Sequence, residues 1–296
     1  MSRSAAWRDD TGRPVLDRVP PLAFFLVSAV SHYLGPGLAV LLFAAVPPLG
    51  VGLLRIAAAA LVFAAWRRPW RRLGAWNRAE RRDAVLLGLT LAAMNLVFYL
   101  AIARLPLATV GAIEFLGPVA LAAAGLRSRR NLAAFALAMA GVAMLTKVRI
   151  GGDPAGVLFA FANAALFVLY VLLGHRIAGS GGRQGTDRLA GAMLIACAAA
   201  LPAGLADALP ALRDPVLLAA AFGVGVLSSV IPYVCDQFAM ARLPRASFAL
   251  LLALLPAMAA AIGILLLHQV PGRGDVAGIA LVMAGVALHR GGARAA

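Results

Sequence analysis

The sequence predicts an all-α membrane protein, ten transmembrane helices built as two inverted repeats of five, and three observations predict it. Of 296 residues, 62% are hydrophobic and 13% are charged, with a mean hydropathy of +0.90. A soluble domain has roughly 45–50% apolar and about 25% charged residues, so this much apolar surface needs lipid as its solvent. The basic residues, which give a net charge of +15, gather in the gaps between apolar runs. Finally, one apolar stretch is written twice. YLAIARLPLATVGAIEFLGPVALAAAG at 99–125 returns as QFAMARLPRASFALLLALLPAMAAAIG at 237–263, identical at 11 of 27 positions at an offset of 138.

Crossing about 30 Å of hydrocarbon takes ~20 apolar residues as helix. Residues 1–20 are polar and lack the short apolar core of a signal peptide, so they read as a tail. Span 1 covers 21–46 and contains Gly35-Pro36-Gly37. That triplet predicts a break, whose freed backbone groups are tolerated only where protein or a water cavity receives them. Span 2, 48–66, ends at an arginine cluster; span 3, 84–104, follows the cluster and closes at Ala-Arg-Leu-Pro. Span 4, 106–126, contains Glu114 and Pro118, and span 5, 131–147, follows Arg-Ser-Arg-Arg. Spans 6, 7 and 8 (154–175, 188–208, 215–241) are joined by short connections. Span 9, 245–267, contains Pro256, the repeat counterpart of Pro118, and span 10 covers 275–290. Each of the matched prolines is expected to kink its helix.

The arginines set the orientation, because loops on the cytoplasmic side of a membrane carry the excess of Lys and Arg. With the N-terminus inside, 21 basic residues face the cytoplasm, seven of them in the loop 67–82, and five face outward: Arg104, Lys147, Arg149, Arg213 and Arg273. Both ends are therefore expected in the cytoplasm. The repeat then acquires a meaning. ARLP closes span 3 and span 8, and MAGVAML at 139–145 in span 5 is echoed by MAGVALH at 283–289 in span 10. Five spans is an odd number, so the second copy must enter the membrane upside down. The expected organisation is a cytoplasmic tail 1–20, a first repeat 21–147, a second repeat 148–290 and a short cytoplasmic tail 291–296. Inverted repeats are a common plan of secondary transporters, one scaffold serving two states open to opposite sides.

Charged side chains at depth are expensive and default to function. Three lie within the spans away from their ends: Arg55, Glu114 and Asp236. Arg55 and Glu114 each sit eight residues into an outward-starting span, about 12 Å deep at 1.5 Å per residue, so they could share a site or form an ion pair that fixes packing. In the first case Arg55 suits a carboxylate and Glu114 an ammonium or a proton. Asn95 and Tyr99 share a face of span 3, and Asn163, Phe167 and Tyr170 form a stripe on span 6; these groups suit a zwitterion or interhelical hydrogen bonds. Tyr233, Asp236 and Gln237 lie toward the cytoplasmic end of span 8, where Asp236 serves in gating or coupling, or is simply hydrated. His32 and Tyr33 precede the Gly-Pro-Gly triplet, and His32 could titrate near neutral pH or act as a packed hydrogen-bonding residue.

These residues also carry a resemblance. LLRIAAAALVFAAWRRPWRRL (53–73), MNLVFYLAIARLPLATVGAIEFLGPVAL (94–121), LYVLLGHRIAG (169–179) and LSSVIPYVCDQFAMARLP (227–244) resemble the drug/metabolite transporter superfamily with two EamA repeats, and within it the bacterial threonine/homoserine exporters. The resemblance implies an inner-membrane exporter of small amino acids or related metabolites, driven by the proton gradient. A broad exporter of drugs or other metabolites is the alternative within that superfamily. Two acids expected from the resemblance are replaced. Leu255 stands before the proline of the second repeat, and Leu267-His268-Gln269 stands where Leu-Gly-Glu is usual.

Other function classes fit poorly. A membrane-embedded enzyme needs convergent nucleophile and base, or a metal cluster, and the four histidines are scattered. Cys197 and Cys235 lie in apolar segments without disulfide or ligand spacing. No cofactor or metal is expected. The net positive charge reads as loop charge facing anionic lipid rather than as a nucleic-acid surface. The expected partners are a small-molecule substrate and the bilayer, and oligomeric state is not legible.

Overall fold

The computed structural model describes residues 19–71, 74, 76–125, 129–150, 153–179, 182–243, 248, 251 and 255–288. Among them every regular element is helical: α1 (Pro21–Leu42), α2 (Pro48–Arg67), a single 3₁₀ turn (Pro69–Arg71), α3 (Arg78–Ile102), α4 (Leu107–Gly125), α5 (Arg129–Ile150), α6 (Pro154–Ala178), α7 (Gly182–Arg213), α8 (Pro215–Gly225), a π turn (Val226–Val230), α9 (Ile231–Arg242), α10 (Leu255–Leu267) and α11 (Arg273–Leu288). Among the described residues six helical segments are long and apolar enough to cross a membrane, and three shorter helices are apolar.

Local chemistry explains the helix starts. Proline opens α1, α2, α6 and α8, where its missing N–H is no loss. Asp153 caps α6 by accepting from Gly156 N at 2.8 Å, and Asp214 caps α8 through the N–H groups of Val216 and Leu217. Asn77 and Glu80 form a reciprocal capping box at α3. This box starts α3 six residues before the apolar run expected at 84, so its first turns are charged. Large apolar side chains such as Leu61, Leu158 and Leu265 face outward, as lipid-facing residues do. Trp66 near the end of α2 and Trp70 in the 3₁₀ turn, both half exposed, suit the bilayer interface. Nearby, Arg67 pairs with Asp187 and Arg188 with Glu80, tying the ends of α2, α3 and α7 together.

Helix pairing is specific. α2 packs on α7, α5 on α11, α3 on α6 and α7, α1 on α9, and α4 on α6 and α10. Small residues permit close approach. A Cβ on Gly88 would lie 2.6 Å from Ala192 O, and one on Gly225 would lie 2.5 Å from Ala58 Cβ. A Cβ on Gly141 would lie 2.5 Å from Gly278 O, and one on Gly285 would lie 2.5 Å from Ala134 O.

Two local expectations change. Gly35-Pro36-Gly37 does not break the first span: α1 runs through it, with Pro36 inside the helix. The glycines serve packing instead, since a Cβ on Gly35 would lie 2.2 Å from Ser228 Cβ and one on Gly37 would lie 2.7 Å from Ile262. Span 8, expected as one regular helix, contains the π turn. The matched prolines are only partly visible. Pro118 lies within α4, its side chain outside the described residues; Pro256 is buried near the described start of α10.

Candidate functional site

All four tyrosines of the chain, Tyr33, Tyr99, Tyr170 and Tyr233, are completely buried. They surround the polar groups expected at depth. α1, α2, α3, α4, α6 and α9 meet around a cavity lined by His32, Arg55, Met94, Asn95, Phe98, Glu114, Asn163 and Tyr233. Its volume is ≈ 10 Å³, room for about one water molecule and far below that of an amino acid. Any larger occupant enters only if the helices part.

Glu114, 2% exposed, accepts a hydrogen bond from Tyr33 Oη at 2.7 Å and another from Asn163 Nδ2 at 3.0 Å. Arg55, 3% exposed, donates from Nε to Ser229 Oγ at 2.7 Å and from Nη2 to the Ser228 carbonyl at 2.6 Å. Its guanidinium also lies over the Tyr99 ring, 5.5 Å from the centroid, a cation–π geometry. Among the described residues Arg55 and Glu114 form no ion pair. They line one cavity, each held by neutral partners.

The seat for Arg55 follows from local sequence. Pro232 has no N–H to offer the carbonyl four residues back, which is Ser228. The backbone there widens into the π turn, in which Ile231 N–H bonds to Val226 O. A π bulge in an α-helix commonly marks a functional site. Ser228 Oγ turns back to Val224 O at 2.6 Å, leaving its carbonyl and the Ser229 hydroxyl to Arg55. Ser228 and Ser229 were not among the expected site residues, although a Ser-Ser pair just before a membrane proline is a legible signal.

The remaining expectations divide. Asn95 donates to Leu91 O at 2.7 Å and to Tyr233 Oη at 3.1 Å, so α3 and α9 are joined at the cavity wall. His32 packs edge-on to Tyr33 and Phe167. Tyr99 and Tyr33 stand behind Arg55 and Glu114. Asp236 is outside this cavity but is not hydrated at the span end: it is 5% exposed and accepts from Ser28 Oγ at 2.5 Å and Tyr170 Oη at 2.6 Å. The Tyr170 and Tyr233 rings, 5.5 Å apart, connect this second cluster to the cavity. Ser28 had no sequence signal. Gln237 is completely buried, with neither amide atom hydrogen-bonded among the described residues, and wedged against Gly185 and Gly174. Among the described residues no group of three or more His, Cys, Asp or Glu could hold a metal ion.

Residues 154–290 match the EamA-like transporter family. Over 254 residues, 84% of each chain, the protein is 33% identical to the threonine/homoserine exporter RhtA of Salmonella typhimurium (strain SL1344). The counterpart in Escherichia coli (strain K12) is 32% identical over the same shares. The chain belongs to the EamA-like transporter family. A solved crystal structure at 21% identity superposes with a TM-score of 0.58 over 90% of this chain and 96% of that one, which supports the same fold.

Proposed function

We propose that the protein is a secondary active exporter of small amino acids, with threonine and homoserine as the model substrates, working by alternating access across the bacterial inner membrane. One observation carries this: a buried arginine and a buried glutamate line the same small cavity and, among the described residues, form no ion pair. A free amino acid is a zwitterion, so its carboxylate suits the unused N–H groups of Arg55 and its ammonium suits Glu114. Ion-pairing both ends of the solute compensates both buried charges. Relatives named as threonine/homoserine exporters support the substrate class.

Alternating access is supported by pseudo-symmetric packing. Gly88 rests on Ala192 and Ile195, and Gly225 rests on Arg55 and Ala58; 88 and 225, 55 and 192, 58 and 195 each lie 137 apart. Gly141 rests on Gly278 and Val282, and Gly285 on Ala134 and Ala138; here 141 and 285, 134 and 278, 138 and 282 each lie 144 apart. Reciprocal contacts of this kind are what a two-fold axis between inverted repeats (21–147 and 148–290) produces. The cavity, closed to anything larger than water, corresponds to an occluded stage of the cycle. Asp236, the second buried carboxylate, is held by two hydroxyls and, among the described residues, by no cation, and we assign it the coupling proton. The arginine distribution supports a cytoplasmic location for both termini.

The test is counterflow in proteoliposomes of the purified protein, preloaded with unlabelled amino acids and exposed to labelled threonine. Accumulation of label above equilibrium is expected. Absence of counterflow with any amino acid, while a drug or other metabolite exchanges, would overturn the substrate assignment.

A further inference from the structure

The cavity wall contains one polar atom that takes no part in the contacts described above. Asn163, at 0% exposure, donates through Nδ2 to Glu114 Oε1. In the ionised form that the amino-acid reading assigns to Glu114 the carboxylate can only accept, so this bond sets which way the amide is turned. Its Oδ1 is the opposite end, and that oxygen is buried without a hydrogen-bond partner among the described residues. An unpaired buried acceptor is costly and suits a donor supplied from the cavity. The other amide in the wall, Asn95, is already engaged with Leu91 O and Tyr233.

Resting on the amino-acid reading above, we propose that Asn163 Oδ1 accepts the side-chain hydroxyl of the substrate and makes the site selective for hydroxylated amino acids. Arg55 takes the carboxylate and Glu114 the ammonium, so the third polar group of threonine or homoserine needs an acceptor near Glu114, where Asn163 lies. A methyl group in place of that hydroxyl leaves Oδ1 unpaired in a dry cavity. Sites built to bond a substrate hydroxyl reject the analogue lacking it far more strongly than apolar pockets reject an added one.

The experiment is competition in the proteoliposome counterflow assay, with threonine against valine and homoserine against norvaline, on the wild type, Asn163→Leu and Asn163→Ala. In the wild type the hydroxylated member of each pair is expected to compete at least about tenfold better. In either variant the absolute rate falls, since Glu114 loses a donor, but the preference is expected to shrink to within about twofold. A role confined to holding Glu114 lowers all four solutes alike and preserves the ratio, which would overturn the assignment. Equal competition by valine and threonine in the wild type overturns it without any variant, so misfolding of one variant does not shield it. Failure of the amino-acid reading looks different: none of the four solutes supports or competes for counterflow, and both proposals then fall together.

Discussion

Replacing Glu114 with glutamine separates a charge that acts on substrate from one that holds the fold. The carboxylate accepts two hydrogen bonds, from Tyr33 Oη and Asn163 Nδ2. A glutamine amide can keep both. Its oxygen accepts from Asn163, and its NH₂ donates to the Tyr33 hydroxyl, which can accept as well as donate. The loss is the charge assistance of each bond, about 1 kcal/mol apiece, or roughly 2 kcal/mol in all. Against this stands relief from an uncompensated buried charge, for which membrane-insertion scales give about 3 kcal/mol. The net change is near zero or stabilising, and about 1 kcal/mol moves Tm by only ~2–4 °C. Transport is a different matter, because the ammonium loses its counter-charge. Counterflow per folded molecule should fall at least about tenfold, equivalent to ~1.4 kcal/mol, and its pH dependence should flatten. The assay pairs thermal unfolding in detergent with counterflow at matched reconstitution. Normal transport by folded Glu114→Gln refutes the role in substrate binding. A stability loss of about 3–5 kcal/mol, the signature of a broken buried ion pair, refutes the reasoning from geometry.

Two further outcomes are expected. Asp236→Asn keeps bonds to Ser28 and Tyr170 by the same reversal of hydroxyls, so the protein should remain folded while concentrative transport driven by an imposed pH gradient is lost and exchange at equal pH persists; unchanged gradient-driven transport would remove Asp236 from coupling. A cysteine placed at exposed Gly74 in a background lacking Cys197 and Cys235 should resist a membrane-impermeant thiol reagent in intact cells and react after permeabilisation; labelling from outside would invert the topology.

How much of this was legible in the sequence depends on the length scale of the signal. Helix identity was legible, because apolar runs bounded by arginines and opened by prolines state it locally. The charged residues at depth were legible too, because Arg55, Glu114 and Asp236 stand out from their apolar runs. Their partners were not. Whether Arg55 meets Glu114 depends on how α2 and α4 are rotated about their axes, and a sequence in which nearly every face is apolar leaves rotation undetermined. Gly35-Pro36-Gly37 misled for a related reason. In water that triplet ends a helix, but here its neighbours supply close packing on both sides and α1 continues. Asp236 misled in the other direction, since its distance from the loop suggested water, while Ser28 and Tyr170 from two other helices enclose it.

The π turn resolves a discrepancy between the two copies. Gly88 and Gly225 are 137 apart, yet Ala-Arg-Leu-Pro at 103–106 and 241–244 is 138 apart. Between Gly225 and Ala241 the second copy therefore has one residue more than α3 has between Gly88 and Ala103, and the π turn at Val226–Val230 lies within that interval. A π bulge is one extra residue accommodated inside a helix. It is also where Ser228 O and Ser229 Oγ reach Arg55. An otherwise repeated scaffold thus gains an asymmetric seat for a cation at one point. Deleting partly buried Leu227 should remove the extra residue and turn Ser228 and Ser229 away from Arg55 while preserving the packing of Gly225 and of α9; Pro232 still denies the Ser228 carbonyl a backbone donor. Arg55 should lose both partners, hydrogen bonds to a charged donor worth ~1.5–3 kcal/mol each. Ser229→Ala, which removes one of them, should fall between wild type and deletion in affinity for threonine. Membrane insertion and monodispersity of the deletion variant are expected to survive while threonine counterflow drops below a tenth of wild type. Counterflow at the wild-type level in the deletion variant would show that the π turn is incidental and that Arg55 does not need this seat to hold a carboxylate.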